Sequence, residues 1–295
     1  MNSKIIKYII IILLLPVVPL KATAQTGIYY STNGQLSSSL INQLYQDHRG
    51  FIWISTEFGL NKFDGTHFTH YKHIDNDSTS LINNHVRGVF EDSYRNLWIR
   101  CLGGLMLYHP ETDDFELIKI EGKEGRHVTN IMELHNGEVW GITTGDTIFR
   151  INLTQKVIEP IDEINRKLRL KSFSSIYEDT RRNLWFISET QGLLCFNPKS
   201  EEIQHFKYPD IPDNNISAIK EDQNGNLFIG TLTKGLCLYD WEKKVFQPIP
   251  YENKQNLPIK HLAFTEGKLL IGTDGKGIKA YNPATHQIED YPVNA

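Results

Sequence analysis

Four aspartates recur at equivalent points of this 295-residue chain, each six residues before a large apolar side chain. They are Asp47, Asp92, Asp179 and Asp222. The turn that begins at Asp222 reads DQNGN, which could indicate a calcium loop, but the dense oxygen ligands and the distant closing Glu of an EF-hand are missing. An Asp that opens a hairpin commonly accepts hydrogen bonds from the backbone N–H groups of its own turn. We therefore interpret these aspartates as turn residues, and the sequence predicts neither a metal site nor a cofactor.

The aspartates mark a repeat of forty-odd residues. The central large side chains of successive copies are 45, 42, 45, 43 and 42 residues apart. They are Trp53, Trp98, Trp140, Trp185, Phe228 and Leu270. Each copy contains about four short strand-like runs, and this period with four strands per unit is typical of a β-propeller blade. The predicted fold class is all-β: a β-propeller of four-stranded antiparallel blades, six of them complete.

The first repeat shows the expected blade in detail. We predict strands at 41–46, 51–55, 60–63 and 67–71, which are rich in Ile, Phe, Tyr and Trp and are separated by turn residues. In the run FIWIS, Trp53 points to one face and its two Ile neighbours to the other, so both faces are apolar, as in a blade packed between two others. The blade repeats are predicted at about 40–71, 86–118, 128–158, 173–206, 216–249 and 259–291.

Two repeats depart from the pattern. The third and the sixth lack the Asp and have a shorter first turn, and the sixth has Leu270 in place of an aromatic residue. A longer connection, Glu159 to Ser172, follows the third repeat, and we expect a short helical turn within it. Such departures fall in loops, where binding specificity is commonly found.

Other repeated residues are interpreted as structural. The glycines after the second strand suit a tight reversal, because no helix follows them to cradle a phosphate. They are Gly59, Gly103, Gly104, Gly192, Gly235 and Gly277. The repeated Trp side chains are predicted to form core between blades rather than sugar platforms. Trp241, the one Trp outside the repeated position, is either an exposed contact or a lid over a hairpin, and we favour the lid.

The histidines and cysteines do not form a recognisable catalytic set. Among the 11 histidines, four fall at scattered positions of the repeat and do not form one ring: His135, His205, His261 and His286. The three cysteines fit no metal-ligand spacing, and each lies in or beside a predicted strand: Cys101, Cys195 and Cys237. Buried cysteines behave as small apolar residues, and we favour this interpretation over a disulfide.

The N-terminal residues have the features of a secretory signal. Two lysines precede an apolar stretch at 9–20, and Ala-Thr-Ala at 22–24 provides a small-x-small cleavage site. The apolar stretch is shorter than the roughly 20 residues that a spanning helix needs. We predict a cleaved signal peptide at 1–24 and a propeller domain at 25–295 that is exported to the periplasm.

The charge of the exported chain excludes some partners. Without the signal peptide, the chain has 28 basic and 35 acidic residues, and no basic cluster follows one face. Nucleic acids and anionic membranes are therefore poor candidates, because both require a concentrated cationic surface.

The repeats resemble those of the two-component regulator propeller family, in which an apolar strand ends in ED or QD and is followed by a turn, LWIGT, a glycine and YD. The matching segments in this chain are QDHRGFIWIST, EDSYRNLWIR, EDTRRNLWFIS and EDQNGNLFIGT. The resemblance covers roughly residues 27–291, and four of the six repeats fit well.

The resemblance implies a sensor function. In this family the propellers form the periplasmic sensor portion of membrane receptors, usually hybrid histidine kinases that respond to oligosaccharides. Two seven-bladed propellers typically precede a β-sandwich, a membrane helix and cytoplasmic modules. This sequence contains no phosphoacceptor-His box, nucleotide-binding glycine loop or receiver Asp. We therefore expect a non-enzymatic, N-terminal fragment of a receptor anchored in the inner membrane, with an oligosaccharide ligand, the downstream domains as partners, and a homodimeric full receptor.

A seventh blade is expected to be incomplete. The segment GIYYS, residues 27–31, lies where the other repeats place their outermost strand, just before the next first strand. The sixth repeat already has an outer strand of its own, at 287–291. Propellers often close by pairing an N-terminal outer strand with the inner strands of the last blade. We therefore expect GIYYS to be an orphan strand of a seventh blade whose other strands the sequence does not contain.

Three functions remain open from the sequence alone. A sensor of oligosaccharides is favoured by the export signal and the repeats. The first alternative is an exported propeller that serves as a protein-interaction scaffold. A propeller lyase or hydrolase is less favoured, because no pair of acids stands apart from the turn residues. The sequence identifies no ligand-binding residue.

Overall fold

The structure of the chain, a computed structural model, describes residues 30–120, 127–145, 147–169, 172–188, 190–251, 257–265 and 267–291. Within these ranges the chain forms 24 strands and one short helix. The predicted signal peptide at 1–24 lies outside them, as do residues 27–29 of GIYYS. No helix among the residues covered is both long enough and apolar enough to cross a membrane.

The strands form six antiparallel blades of four, and the strand order in each blade follows the sequence. Blade 1 contains β1 (Ile41–Gln46), β2 (Ile52–Thr56), β3 (Gly59–Phe63) and β4 (Phe68–Tyr71). Blade 2 contains β5 (Val86–Glu91), β6 (Leu97–Cys101), β7 (Gly104–His109) and β8 (Asp114–Ile120). Blade 3 contains β9 (Val128–Glu133), β10 (Val139–Thr143), β11 (Ile148–Asn152) and β12 (Val157–Pro160).

The second half of the chain repeats this arrangement. Blade 4 contains β13 (Phe173–Glu178), β14 (Leu184–Ser188), β15 (Gly192–Phe196) and β16 (Ile203–Phe206). Blade 5 contains β17 (Ile216–Glu221), β18 (Leu227–Thr231), β19 (Gly235–Asp240) and β20 (Val245–Pro248). Blade 6 contains β21 (Ile259–Thr265), β22 (Lys268–Thr273), β23 (Ile278–Asn282) and β24 (Gln287–Asp290). The predicted propeller of four-stranded antiparallel blades is confirmed.

Blades 2 and 3 are also joined at their outer strands. β8 continues past its antiparallel pairing with β7, and its last two residues pair in parallel with β12. Lys119 lies opposite Val157 in this register. The two blades therefore form one eight-stranded sheet.

Apolar side chains hold consecutive blades together. Five hydrophobic clusters occupy the five interfaces from blade 1 to blade 6. Trp53, Trp98 and Trp185 are essentially unexposed and each packs toward the following blade, which confirms their predicted role as core between blades. Phe228 is equally buried, whereas Trp140 is only partly buried.

The turn aspartates are confirmed as turn residues, and each has a second role where a Trp follows. Asp47 Oδ1 accepts hydrogen bonds from the backbone N–H groups of Arg49 and Phe51, both at 3.0 Å. Its other oxygen, Oδ2, accepts from Trp53 Nε1 at 2.8 Å. The same indole bond joins Trp98 to Asp92 and Trp185 to Asp179. Each of these aspartates therefore fixes both the turn and the core side chain behind it.

The predicted reversal and helical turn are both present. Gly59 has φ +127°, and a Cβ added there would lie 2.8 Å from Tyr71 O. A Cβ at Gly192, where φ is +85°, would lie 2.2 Å from a backbone oxygen. The connection after blade 3 contains α1 (Asp162–Leu168), whose acidic first turn and basic last turn suit the helix dipole.

The face of blade 1 that points away from blade 2 is exposed. Leu44 is 62% exposed, whereas its equivalent in blade 2, Val89, is 1% exposed. Ile41 is 46% exposed, and its equivalent Val86 is fully buried. The apolar residues that join consecutive blades elsewhere are therefore uncovered on this face.

Tyr30 packs on the same face of blade 1, at its outer edge. Its ring centroid lies 5.2 Å from that of Phe63 and 5.3 Å from that of Phe68, which are partners across β3 and β4. Tyr71, on the outermost strand of blade 1, contacts the equivalent pair of aromatic rings in blade 2. Phe206 does the same between blades 4 and 5. Tyr30 therefore occupies the position that the outermost strand of a preceding blade would supply, although it is not itself in a strand.

Candidate ligand-binding face

The innermost strand of every blade contains a β-bulge near its start. In each case the pairing of the first and second strands shifts by one residue at the same place. The extra residues are Asn42, Arg87, Thr129, Ser174, Ser217 and Lys260. Bulges re-aim side chains and are common at rims and beside functional sites. Because the innermost strands of a propeller border its channel, the bulges place six polar, non-acidic residues at one end of it. We refer to these six residues as the bulge ring.

Side-chain hydrogen bonds tie neighbouring blades together at this end. Asn42 Nδ2 donates to Val86 O at 2.9 Å, and Ser217 Oγ donates to Ile259 O at 2.5 Å. The backbone N–H of Val89 donates to Gln43 Oε1 at 2.8 Å. These bonds fix the ends of the innermost strands relative to one another, so the bulge ring is built on a rigid support.

Arg100 brings a second guanidinium to this face from the second strand of blade 2. It lies opposite Gly88 in the β5–β6 register, and a Cβ at Gly88 would lie 2.3 Å from Arg100 Nη2. Gly88 therefore leaves the space that Arg100 occupies. Arg100 Nη1 donates to Thr129 O of blade 3, and Nη2 donates to Gln43 Oε1 of blade 1 at 3.4 Å.

Arg87 and Arg100 form a pair of like charges. The Nε atoms of both are buried and have no hydrogen-bond partner. Burial and the positive charge of Arg87 lower the pKa of Arg100 to about 10. Across the parts of the chain that the structure describes, neither guanidinium lies within 4.0 Å of a carboxylate, whereas Lys260 reaches Asp274 at 3.4 Å. This part of the bulge ring is therefore electropositive.

The acids of the innermost strands lie at the opposite end and are fully engaged. Each of these acids accepts two hydrogen bonds from one residue of the preceding blade, one from its backbone N–H and one from its side chain. That residue directly follows the position of the turn Asp in the preceding blade. The pairs are Glu91 with His48, Glu133 with Ser93, Glu178 with His135, and Glu221 with Thr180. We call these four pairs the rim clamps. They act between blades, at the end of the innermost strands opposite to the arginines.

The four histidines singled out in the sequence lie on different elements, with His205 in β16 and His261 in β21. His135 belongs to a rim clamp, His205 Nε2 lies 3.1 Å from Gln191 O, and His286 Nδ1 lies 2.9 Å from the Tyr281 hydroxyl. Among the described residues, no three His, Cys, Asp or Glu side chains are grouped so that they could hold a metal ion.

A cavity lies between blades 4 and 5, beside the aromatic core. It has a volume of about 130 Å³ and is lined in part by Trp185, Tyr239 and Trp241. Trp241 Nε1 donates to a backbone oxygen at 3.2 Å, and the Arg181 guanidinium carbon lies 3.7 Å from the centroid of its ring. Its ring also meets Tyr239 edge-on at 4.7 Å. Trp241 therefore covers the hairpin and the core, as the lid interpretation predicted.

The three cysteine thiols are unpaired. Cys101 and Cys237 are buried and Cys195 is partly buried, which agrees with their interpretation as small apolar residues. Burial raises the pKa of all three thiols to about 12. A thiol with so high a pKa is a poor nucleophile and a poor metal ligand at neutral pH.

Neither the bulge ring nor Arg100 was predicted from the sequence. One signal was visible: the second residue after the central large side chain is Arg in blade 2 and uncharged in every other blade. The equivalent residues are Ser55, Ile142, Ile187, Gly230 and Gly272. The bulges gave no such signal, because no residue type is common to the six positions.

Known proteins resemble this chain in both sequence and fold. The family model described as Two component regulator propeller matches residues 35–58 and 210–233, in blades 1 and 5. A histidine kinase of Formosa agariphila is 29% identical over 138 residues, which are 44% of this chain and 10% of that protein.

Two solved structures share the fold over most of the chain. The extracellular domain of the hybrid two component system BT3049 from B. thetaiotaomicron matches with a TM-score of 0.77 and 25% identity, over 90% of this chain and 37% of that one. The extracellular domain of BT4673 from the same species has a TM-score of 0.73 and 19% identity, over 86% of this chain and 37% of that one. The chain thus spans little more than a third of these structures. The chain therefore contains repeats that match the two component regulator propeller model, and its fold is that of a propeller like those in the extracellular domains of two-component sensors.

Proposed function

We propose that this chain is the ligand-sensing propeller of a two-component receptor and works outside the cytoplasm. The observation that carries the proposal is the joint match of the repeats to the regulator propeller family and of the whole fold to extracellular sensor domains. The signal peptide at 1–24, read from the sequence, supports export to the periplasm. A receptor of this kind would anchor the propeller to the inner membrane through domains that follow it, and it could function as a homodimer.

The proposed ligand is an oligosaccharide, and the proposed role is binding without turnover. The bulge ring supports this role because it presents hydroxyl, amide and cationic groups on a rigid support, which are the groups that recognise sugar hydroxyls and acids. The acids on the innermost strands of blades 2 to 5 are engaged in the rim clamps. His135, His205, His261 and His286 lie on different elements. A general acid and base at one place is what glycoside hydrolysis requires.

The complete propeller is proposed to contain a seventh blade between blades 6 and 1. The exposed Leu44 and Ile41 would pack against it, as Val89 and Val86 pack against blade 1. Tyr30 would belong to its outermost strand, because this residue contacts blade 1 as Tyr71 contacts blade 2. Closure of this kind removes the open faces at the two ends of the array.

A binding and turnover assay tests the function. The purified chain is incubated with a panel of neutral and acidic oligosaccharides, thermal unfolding is measured for each, and the products are then separated by chromatography. We expect at least one oligosaccharide to raise the Tm while its chain length stays unchanged. Product formation would overturn the proposal in favour of a lyase or hydrolase. A panel without any stabilising member would overturn it in favour of a scaffold. The intact mass of the exported chain checks the signal peptide, which should be absent up to Ala24.

A further inference from the structure

The arginine pair of blade 2 has a geometry that the fold alone does not require. Arg87 is the extra residue of a bulge, and Arg100 replaces the small or aliphatic residue found at its position in the other blades. Gly88, between them in the register, leaves room for the Arg100 guanidinium, whereas Gln43 and Asn130 occupy the equivalent position in blades 1 and 3. Three neighbouring positions therefore combine to place two guanidinium groups at one point of the bulge ring.

These two partly buried guanidinium groups lack the opposite charge that normally accompanies a charge removed from water. Charged groups removed from water are usually paired with an opposite charge or fully hydrogen-bonded, because an uncompensated buried charge is strongly unfavourable. Both Nε atoms are buried without a partner, and throughout the described residues no carboxylate lies within 4.0 Å of either guanidinium. The repulsion between the two groups adds to this cost. An anion from outside the chain would compensate the two charges and offset the repulsion between them.

We propose that Arg87 and Arg100 form an anion-binding site on the bulge ring, and that the site takes the carboxylate or sulfate group of an acidic oligosaccharide. The inference rests on the proposed sensing function and specifies its ligand. A guanidinium presents N–H groups in a fixed fork that suits carboxylate and sulfate oxygens. Beside its bond to Val86 O, Asn42 has an amide oxygen and a second N–H for the uncharged part of a sugar, and Thr129 Oγ1, which donates to Ile142 O, can accept.

A purely structural role explains only part of the arrangement. Arg100 does connect blades 1 and 3 through Gln43 and the carbonyl of Thr129. Arg87 makes no such side-chain bond to the described residues, and its Nε remains without a partner. Arg87 is therefore the residue whose substitution separates anion binding from structural support.

Calorimetric titration of the full chain at constant ionic strength tests the site. The probes are trigalacturonate, the matched neutral galactotriose, and inorganic sulfate. The variants are R87Q and, as a matched control, K199Q, which removes one positive charge from an exposed residue between β15 and β16, outside the bulge ring. Thermal unfolding of both variants checks that they are folded, and R100K provides a second test if R87Q is not folded.

We expect trigalacturonate to bind and galactotriose to bind at least tenfold more weakly. R87Q should weaken trigalacturonate binding about tenfold to a hundredfold, the range for a charge-assisted hydrogen bond. K199Q should change trigalacturonate binding less than threefold.

The contrary outcomes separate this inference from the sensing function. Equal binding of trigalacturonate and galactotriose, unchanged in R87Q, would overturn the anion site and leave sensing intact. Equal losses in R87Q and K199Q would overturn it as well, because the effect would then be general charge attraction. Sulfate binding as tight as trigalacturonate binding would overturn the saccharide assignment and leave a site for small anions. Failure of both anions to bind the unaltered chain would overturn the site itself.

Discussion

The six-residue spacing between Asp and Trp has a direct physical cause. In blade 2, Asp92 Oδ1 accepts from the turn N–H groups of Tyr94 and Asn96, while Oδ2 accepts from Trp98 Nε1 at 2.9 Å. The hairpin returns the chain so that the indole of Trp98 lies behind the carboxylate that caps the turn. A buried indole N–H needs an acceptor, and this geometry provides it. Blade 5 keeps the Asp, but Phe228 has no N–H to donate.

Replacing the turn Asp should therefore cost more where a Trp follows. Asp92→Ala leaves the Trp98 N–H without an acceptor, and one buried unsatisfied donor costs about 1–3 kcal/mol. Asp222→Ala in blade 5 removes the same turn bonds but leaves no indole behind. We expect the free energy of unfolding, measured by denaturant titration, to fall further for Asp92→Ala by about that amount. Equal losses in the two variants would contradict a role for the indole bond.

A cluster of tyrosine hydroxyls between blades 1 and 2 should make the protein less stable at alkaline pH. The hydroxyls of Tyr71 and Tyr108 both donate to Asp113 Oδ1, at 2.6 and 2.5 Å, and Lys62 Nζ donates to the same oxygen at 3.1 Å. Burial, and then the hydrogen bond to Asp113, raise the pKa of Tyr71 far above its ordinary value. The folded state therefore favours neutral Tyr71.

The sign of the pH effect follows from this direction. Above the ordinary tyrosine pKa of about 10, Tyr71 loses its proton in the unfolded chain but keeps it in the folded one. The stability that the neutral hydroxyl contributes is therefore complete below that pH and is lost as pH rises above it. Tyr71→Phe keeps the ring and removes the hydroxyl, so we expect a shallower loss of stability between pH 10 and 11 than in the unaltered chain. Tyr94→Phe, at a residue 66% exposed, is the control and should retain the original slope. Denaturant midpoints at several pH values measure both slopes, and identical slopes for Tyr71→Phe would refute the expectation.

At the scale of the strand, each innermost strand has two ends with different tasks. One end carries the bulge and faces the candidate site, and in blades 2 to 5 the other end carries the Glu of a rim clamp. The clamp passes from each of these blades to the one before it, so it requires a preceding blade. In blade 1 the equivalent residue is Gln46, whose Nε2 donates to Gly50 O of its own turn at 3.4 Å.

The rim clamps should stabilise the contacts between blades. Glu221 is 8% exposed and accepts from the backbone N–H and the hydroxyl of Thr180 at 2.7 and 2.8 Å. Glu221→Ala leaves these donors unpaired, and we expect a loss of about 1–3 kcal/mol in the free energy of unfolding. Gln46→Ala is the matched control, with an expected change below about 0.5 kcal/mol, as for a surface substitution. A loss as large for Gln46→Ala would show that the effect belongs to the strand end and not to the clamp.

The sequence predicted the strands better than the site, for a reason seen in particular residues. Turn residues and alternating apolar side chains are local signals, so β1 was predicted at its observed bounds and β2 was displaced by one residue. The indole bond of Asp92 and the clamp of Glu221 join residues that meet only after folding, and a spacing of six residues does not reveal which atoms bond. The pairing of Arg87 with Arg100 depends on the bulge and on the missing side chain of Gly88, and neither feature has a distinctive residue pattern.

For the whole molecule, the contacts follow a linear series from blade 1 to blade 6. Five hydrophobic clusters join consecutive blades, and in such an array the stability is approximately a sum over blades and their interfaces. A terminal blade has one neighbour fewer than an internal blade. The exposed face of blade 1, with Leu44 and Ile41, is such an end.

Substitutions on the exposed face of blade 1 should change stability less than equivalent substitutions at a buried interface between blades. Leu44 and Val89 occupy equivalent positions, but Leu44 is 62% exposed and Val89 is 1% exposed. In the chain as it stands, we expect Leu44→Ser to change the free energy of unfolding by less than about 1 kcal/mol, and Val89→Ser to lower it by about 2–4 kcal/mol, because only Val89 loses buried contacts. If a seventh blade is supplied by a longer form of the protein, Leu44 becomes buried, so Leu44→Ser should then cost about as much as Val89→Ser. Denaturant titration of both substitutions in the short and the extended chain makes the comparison. A small effect of Leu44→Ser in both chains would refute a seventh blade on this face, and a large effect in the short chain would show that the face is already covered.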